Sequence, residues 1–206
     1  SYQIPAKTDS ADWLEGFRAD ADKHPLSTPS GKIEIFSAVI DGFGYADCPG
    51  HAVWLEPFER LGGAGSDQFP LHLISPQPKR KLHSQYDQSA YSQAGKIRGR
   101  EPLTLHPIAA AQRGIKAGDL LRVFNDRGAC VVGAQISEGV KEDVVILPTG
   151  AWFAPSHDEA GLELNGNPNV LTRDKGTSSL AQGPSAHTCL VDVVKLSEEE
   201  LQALVV

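Results

Sequence analysis

The stretch IAAAQRGIKAGDLLRVFNDRGACVVGAQI, residues 108–136, decides the fold. Residues 108–113 are short and Ala-rich, enough for about two helical turns, and Gly114 supplies the stop. Gly118 and Asp119 make a turn, and residues 120–124 then alternate as a strand. Asn125, Asp126, Arg127 and Gly128 form a hairpin turn, from which residues 129–136 return as the paired strand. Residues 144–147 read as a further buried strand. The order helix, turn, strand, hairpin, strand predicts a mainly β protein with short helices. A jelly roll and a simple six-stranded barrel both fit that order.

Upstream, residues 71–75 form an apolar strand that opens into a loop of hydrogen-bonding side chains, LISPQPKRKLHSQYDQ at 73–88. Ser75, Pro76, Gln77 and Pro78 stop regular structure. Lys79, Arg80 and Lys81 follow, and then His83, Ser84 and Gln85. Cations followed by neutral donors and acceptors suit a ligand with phosphates at one end and a heterocycle at the other. A solvated basic turn is the plain alternative.

Residues 10–22 carry apolar positions at helical spacing, with Ser10 or Asp9 as N-cap. Residues 32–36 alternate around Ile33 and Ile35 and predict a strand. Residues 41–67, rich in Gly and Pro, predict an irregular excursion. The expected organisation is therefore a connecting segment, 1–67, with one helix and one strand, followed by a barrel domain, 68–206. Residues 162–183 resist regular assignment because turn formers and side-chain amides crowd at Asn165, Gly166, Asn167, Pro168 and Asn169. Residues 191–196 read as a last strand, and 197–204 as a terminal helix capped by Ser197 and glutamates.

The chain has 206 residues, enough for one sizeable core, and a net charge of −7. That charge argues against a nucleic-acid partner, whose binders are usually basic. No apolar run reaches the ~18–20 residues of a membrane span. There is no signal peptide in the residues given, and the absence of Met at position 1 reads as a processed chain or a fragment. Cys48, Cys130 and Cys189 are far apart and follow no ligand spacing, so a zinc or iron–sulfur site is not expected and a reducing, cytoplasmic setting is. The periplasm is the alternative. Ser156, His157 and Asp158 are consecutive and cannot converge as a triad. There is no Walker loop, GxGxxG or HExxH. A hydrolase on a barrel therefore has no motif behind it.

Three segments in order carry a family resemblance: LHSQ at 82–85, RGIKAGDLLRVFNDRGAC at 113–130, and GNPNVLTRDKGTSSLAQG at 166–183. The chain resembles the C-terminal, molybdopterin-dinucleotide-binding domain of the dimethyl sulfoxide reductase family of molybdopterin oxidoreductases. KIRGREPLTLHP at 96–107 and TPSGKIEIFS at 28–37 place it nearest the biotin sulfoxide and trimethylamine N-oxide reductases. The resemblance implies a double-psi β-barrel and, in the full-length enzyme, bis(molybdopterin guanine dinucleotide) with molybdenum. It implies cofactor contacts from Ser75, Pro76, Gln77, Pro78, Lys81, His83, Ser84, Gln85, Asn167, Asn169, Gln182 and Gly183. Gly183 would let main chain approach a planar ring closely. In such reductases the metal is held by two pterin dithiolenes and a protein ligand from an earlier domain, and nothing here matches that ligand motif. The implied task is to bind and orient a group that does the chemistry, reduction of an S-oxide or N-oxide by oxygen-atom transfer, in partnership with the N-terminal domains. A free-standing nucleotide-binding or protein-interaction module on the same barrel is the alternative. One position departs from the family pattern. Lys81 stands where Arg is common, which keeps a point charge but loses the bidentate fork.

Overall fold

The computed structural model describes residues 14–185 and 187–203. It divides into two compact units, Ser1–Leu55 with Ser178–Leu180, and Glu56–Thr177 with Ala181–Val206.

The larger unit holds seven strands: β1 (Leu71–Ile74), β2 (Pro102–Leu105), β3 (Leu120–Phe124), β4 (Ala129–Ile136), β5 (Val144–Ile146), β6 (Leu162–Glu163) and β7 (Leu190–Lys195). Their order is β2-β5-β1-β7-β3-β4-β6, and a further β2–β4 ladder closes the first six into a barrel. The first three strands in sequence and the last three of the barrel exchange partners symmetrically. β1 runs parallel to β5 as β4 does to β2, and β1 is antiparallel to β7 as β4 is to β3. β2–β5 and β3–β7 complete the ring, both antiparallel. Every ladder of the closed ring thus joins one half of the barrel to the other. This interlocked pattern is the double-psi barrel, and neither half can satisfy its backbone alone.

Leu73, Leu103, Leu105, Leu121, Val123, Val132, Val145 and Leu147 fill the interior, each fully buried. A fully buried Leu contributes about 1.5–3 kcal/mol. β4 is buried on both faces because Leu162 of β6 and Leu196 cover Ala129 and Val131 on its outer side. Gly133 of β4 leaves room for the Ile97 turn, since a Cβ there would lie 2.3 Å from the Ile97 Cβ. The hairpin turn is an Asx turn. The Asn125 side chain accepts from Arg127 N–H at 3.0 Å and donates to the carbonyls of Leu171 and Leu190, at 2.8 and 3.1 Å.

The short helix at Pro107–Gln112 forms as expected, capped by His106 Nδ1. The terminal helix, Glu198–Ala203, has a reciprocal capping box between Ser197 and Glu200. The N-terminal unit differs from the sequence expectation. Residues 32–36 form no strand: Ile33 and Ile35 are 68% and 86% exposed, with no partner ladder among the described residues to use their alternation. The helix expected over 10–22 is described at Glu15–Ala19, and its proposed cap lies outside the described residues. β2 was not anticipated, nor were the short helices Ala38–Asp41 and Ala90–Gln93.

Candidate functional site

β1 and β5 run side by side, so the loops that leave them stay together. Leu147 N–H donates to Ile74 O, and Thr149 N–H to Pro76 O, both at 3.0 Å. The two chains remain joined further out. Trp152 Nε1 donates to Ser84 O at 2.8 Å, and Gly150 packs flat against the His83–Ser84 peptide. Gly150 has φ +91, and a Cβ there would sit 1.9 Å from the His83 carbonyl oxygen, so only glycine fits. His83 and Tyr86 adopt positive φ, at 51° and 65°, a strained geometry for side-chain-bearing residues that recurs at ligand sites.

A third segment joins from the far end of the sequence. Asn167 Nδ2 donates to Ala151 O at 2.9 Å, Asn165 Nδ2 donates to Trp152 O at 2.8 Å, and Asn167 Oδ1 caps a 3-10 turn at Pro168–Val170. The result is a cleft of about 570 Å³ lined by His83, Ser84, Thr149, Gly150, Ala151, Trp152, Phe153, Asn167 and Asn169. That size suits a small-molecule or cofactor fragment. Asn167 spends one donor and one acceptor inside the chain, leaving one of each, whereas Asn169 is exposed on the lining.

The same loop borders a second cleft of about 610 Å³ on which Pro76, Gln77, Pro78, Lys79, Arg80 and Lys81 lie. The three cations differ in role. Lys81 Nζ is buried between Asp87 Oδ1 and Glu101 Oε1, each at 2.5 Å, and Lys96 Nζ completes the group at 2.9 Å from Asp87 Oδ2. Two ammoniums and two carboxylates close the base of the loop, so the Lys81 charge is met within the chain. Burial works against the Asp87 carboxylate, but hydrogen bonds from Lys81 and Lys96 outweigh it and hold its pKa below the usual value. Arg80 stacks on Tyr91, its guanidinium carbon 4.8 Å from the ring centroid. Lys79 is exposed.

Of the remaining residues expected at the site, Ser75 is buried at the end of β1, where its N–H meets His187 Nδ1 at 3.5 Å and its Oγ has no partner among the described residues. Gln85 is exposed at the foot of the His83 turn, its N–H bonded to Leu82 O. Ser75, Gln85, Gln182 and Gly183 line neither cleft. Gly183 accepts from Thr177 N–H at 2.9 Å, and a Cβ there would make only ordinary contact with Thr177, at 3.4 Å. Sequence reasoning missed the Thr149–Phe153 wall. Its one signal in the sequence was the pair Trp152-Phe153 two residues after Gly150, just past a strand. The buried thiols are inert: burial pushes Cys130 well up and Cys189 to about 11.

The Ser84 hydroxyl and the Asn167 and Asn169 amides on one cleft, the Asn167 amide keeping one donor and one acceptor unspent, fit a polar heterocyclic cofactor. The barrel with this cleft defines a pterin-cofactor-binding domain, and the chain belongs to the Molydopterin dinucleotide binding domain family, whose pattern matches residues 71–190. Among its relatives are a biotin sulfoxide reductase of Cereibacter sphaeroides, 52% identical over 88% of this chain and 24% of the relative. A dimethyl sulfoxide/trimethylamine N-oxide reductase of the same organism is 47% identical over 87% of the chain and 22% of the relative. Trimethylamine-N-oxide reductase 1 of Escherichia coli is 46% identical over 88% and 22%. The chain therefore spans less than a quarter of the length of these relatives. In fold it matches acetylene hydratase from Pelobacter acetylenicus, with TM-score 0.67 and 20% identity over 84% of this chain and 24% of that one.

Proposed function

We propose that this chain is the C-terminal cofactor-binding domain of a molybdenum oxidoreductase that reduces S-oxides or N-oxides of the biotin sulfoxide or trimethylamine N-oxide type. The observation that carries the reading is the single cleft on which His83 and Ser84 meet Asn167 and Asn169. In the full-length enzyme, bis(molybdopterin guanine dinucleotide) with molybdenum supplies the oxygen-atom transfer. The residues here do the holding. Ser84 and Asn169 present a hydroxyl and an amide to the heterocycle, and the remaining donor and acceptor of Asn167 read its edge. Lys79, exposed on the second cleft, is the cation of the run that meets phosphate, because Lys81 is neutralised within the chain. Gln85, Gln182 and Gly183 join through contacts made when the cofactor and the other domains are in place.

Leu82, Tyr86, Trp152 and Phe153 are exposed on or beside the first cleft, apolar area that suits a covering wall from the N-terminal domains. Three free cysteines with no pairing pattern favour the cytoplasm. The test is Asn169→Ala and Ser84→Ala in the full-length protein, with molybdenum and guanine nucleotide measured per chain. Both variants are expected to lose cofactor about tenfold more readily, as a lost hydrogen bond in a desolvated site implies. Undiminished content in both would refute the assignment.

A further inference from the structure

Glu163 is fully buried, yet it carries a carboxylate in a part of the chain with no cation bonded to it among the described residues. Its oxygens are instead filled by main chain. Oε1 accepts from Ala154 N–H at 3.1 Å and Asn165 N–H at 2.9 Å. Oε2 accepts from Gly166 N–H at 2.8 Å and Asn167 N–H at 2.7 Å. Four donors meet the roughly four lone-pair sites of an ionised carboxylate, so the group is saturated. Ala154 continues the Gly150–Phe153 wall of the first cleft, and Asn165, Gly166 and Asn167 lead into the second wall, Asn167 and Asn169, which the Asn165 and Asn167 amides already join to the first. Glu163 itself sits on β6, in register with Cys130 of β4. One side chain thus ties both walls to each other and to the barrel.

We infer that Glu163 is a positioning residue for the cofactor cleft, fixing the separation of its two walls by gathering four backbone N–H groups; this rests on reading that cleft as the cofactor site. The requirement is for an anion of this length. Glutamine has the same shape but a single acceptor oxygen. Whichever way its amide turns, its NH₂ faces two N–H donors, and those donors lose their acceptor in a dry setting. Aspartate keeps all four lone pairs but sits one methylene short. Arg100, half-buried nearby, feels the charge: burial pushes its guanidinium down and Glu163 pushes it back up. A neutral residue at 163 would forfeit that balance as well.

The experiment uses the full-length enzyme with Glu163→Gln, Glu163→Asp, Asn169→Ala and Ser84→Ala. Two readouts are taken: hydrogen exchange by mass spectrometry, and molybdenum plus guanine nucleotide per chain. For Glu163→Gln, exchange across residues 150–154 and 164–169 is expected to quicken about tenfold, the effect of leaving buried donors unmet. Exchange in β3 and β4 should stay as in the parent, cofactor content should fall, and Glu163→Asp should restore part of both. Parent-like exchange in the two walls overturns the inference. So does an even loss of protection over the whole barrel, which would make Glu163 a plain stability residue. If Asn169→Ala or Ser84→Ala lowers cofactor content while Glu163→Gln does not, the role of Glu163 fails and the cleft assignment stands. If Glu163→Gln, Asn169→Ala and Ser84→Ala all keep full content, the cleft assignment has failed, and the inference with it.

Discussion

Replacing Gly150 with alanine attacks the tightest contact in the candidate site. The added Cβ would lie 1.9 Å from the His83 carbonyl oxygen and 2.6 Å from its carbon. A carbon–oxygen contact normally begins near ~3.3 Å, so the loop must retreat by roughly 1.4 Å. Alanine at φ +91 adds backbone strain of about 1–3 kcal/mol. Retreat of the loop also stretches the 2.8 Å bond from Trp152 to Ser84 beyond hydrogen-bonding range, a loss of about 0.5–1.5 kcal/mol. Together these give about 2–4 kcal/mol, which lowers the melting temperature of a chain of this size by roughly 5–15 °C. Thermal unfolding followed by circular dichroism measures the global part, and molybdenum content of the full-length enzyme measures the displaced loop. A smaller drop in melting temperature with strong cofactor loss would mean the loop yields locally. Unchanged melting and unchanged cofactor content would refute the reasoning, because they would require the His83–Ser84 peptide to move freely.

Lys96→Met leaves two buried carboxylates facing the single ammonium of Lys81, and should destabilise the chain by about 3–5 kcal/mol in denaturant unfolding. Adding Glu101→Gln removes the excess charge and should recover part of that loss. Acid should unfold the barrel through Asp87 and Glu59. Burial opposes ionisation of both, but the lysines around Asp87 and the Arg127 and Leu190 hydrogen bonds to Glu59 hold their folded pKa values low. Carboxylates depressed in this way add stability above their unfolded pKa. On account of these two groups the melting temperature should fall progressively as pH drops below about 5, where the unfolded chain begins to bind more protons than the folded one. Residues 1–206 alone should fold without metal or cofactor and show no sulfoxide or N-oxide reduction with a reduced dye. Turnover above a no-protein control would require a complete active site within the chain.

Strands β3 and β4 were readable to the residue because their alternation flanks an unmistakable turn, Asn-Asp-Arg-Gly. β2 was not, since Pro-Leu-Thr-Leu is too short for a periodic signal and becomes a strand only because β4 and β5 lie on either side of it. Residues 32–36 show the converse: local alternation makes no strand where no neighbour receives it. At the site, the residues of the Ser75–Gln85 loop and the amides stood out by type. The fate of Lys81 did not, because a run of cations gives no hint that Asp87 and Glu101 return to meet one of them. Glu163 was equally silent, since a glutamate that will be saturated by main chain looks in sequence like any surface glutamate.

The central claim is that residues 75–85 and 165–169 hold one cofactor between them. Hydrogen exchange on the full-length enzyme, loaded against cofactor-free, tests it directly. Protection on loading should appear together at the amides of residues 82–85, 149–153 and 165–169, with the terminal helix at Glu198–Ala203 unchanged. Protection confined to other domains, with these three segments exchanging alike in both states, would contradict the account.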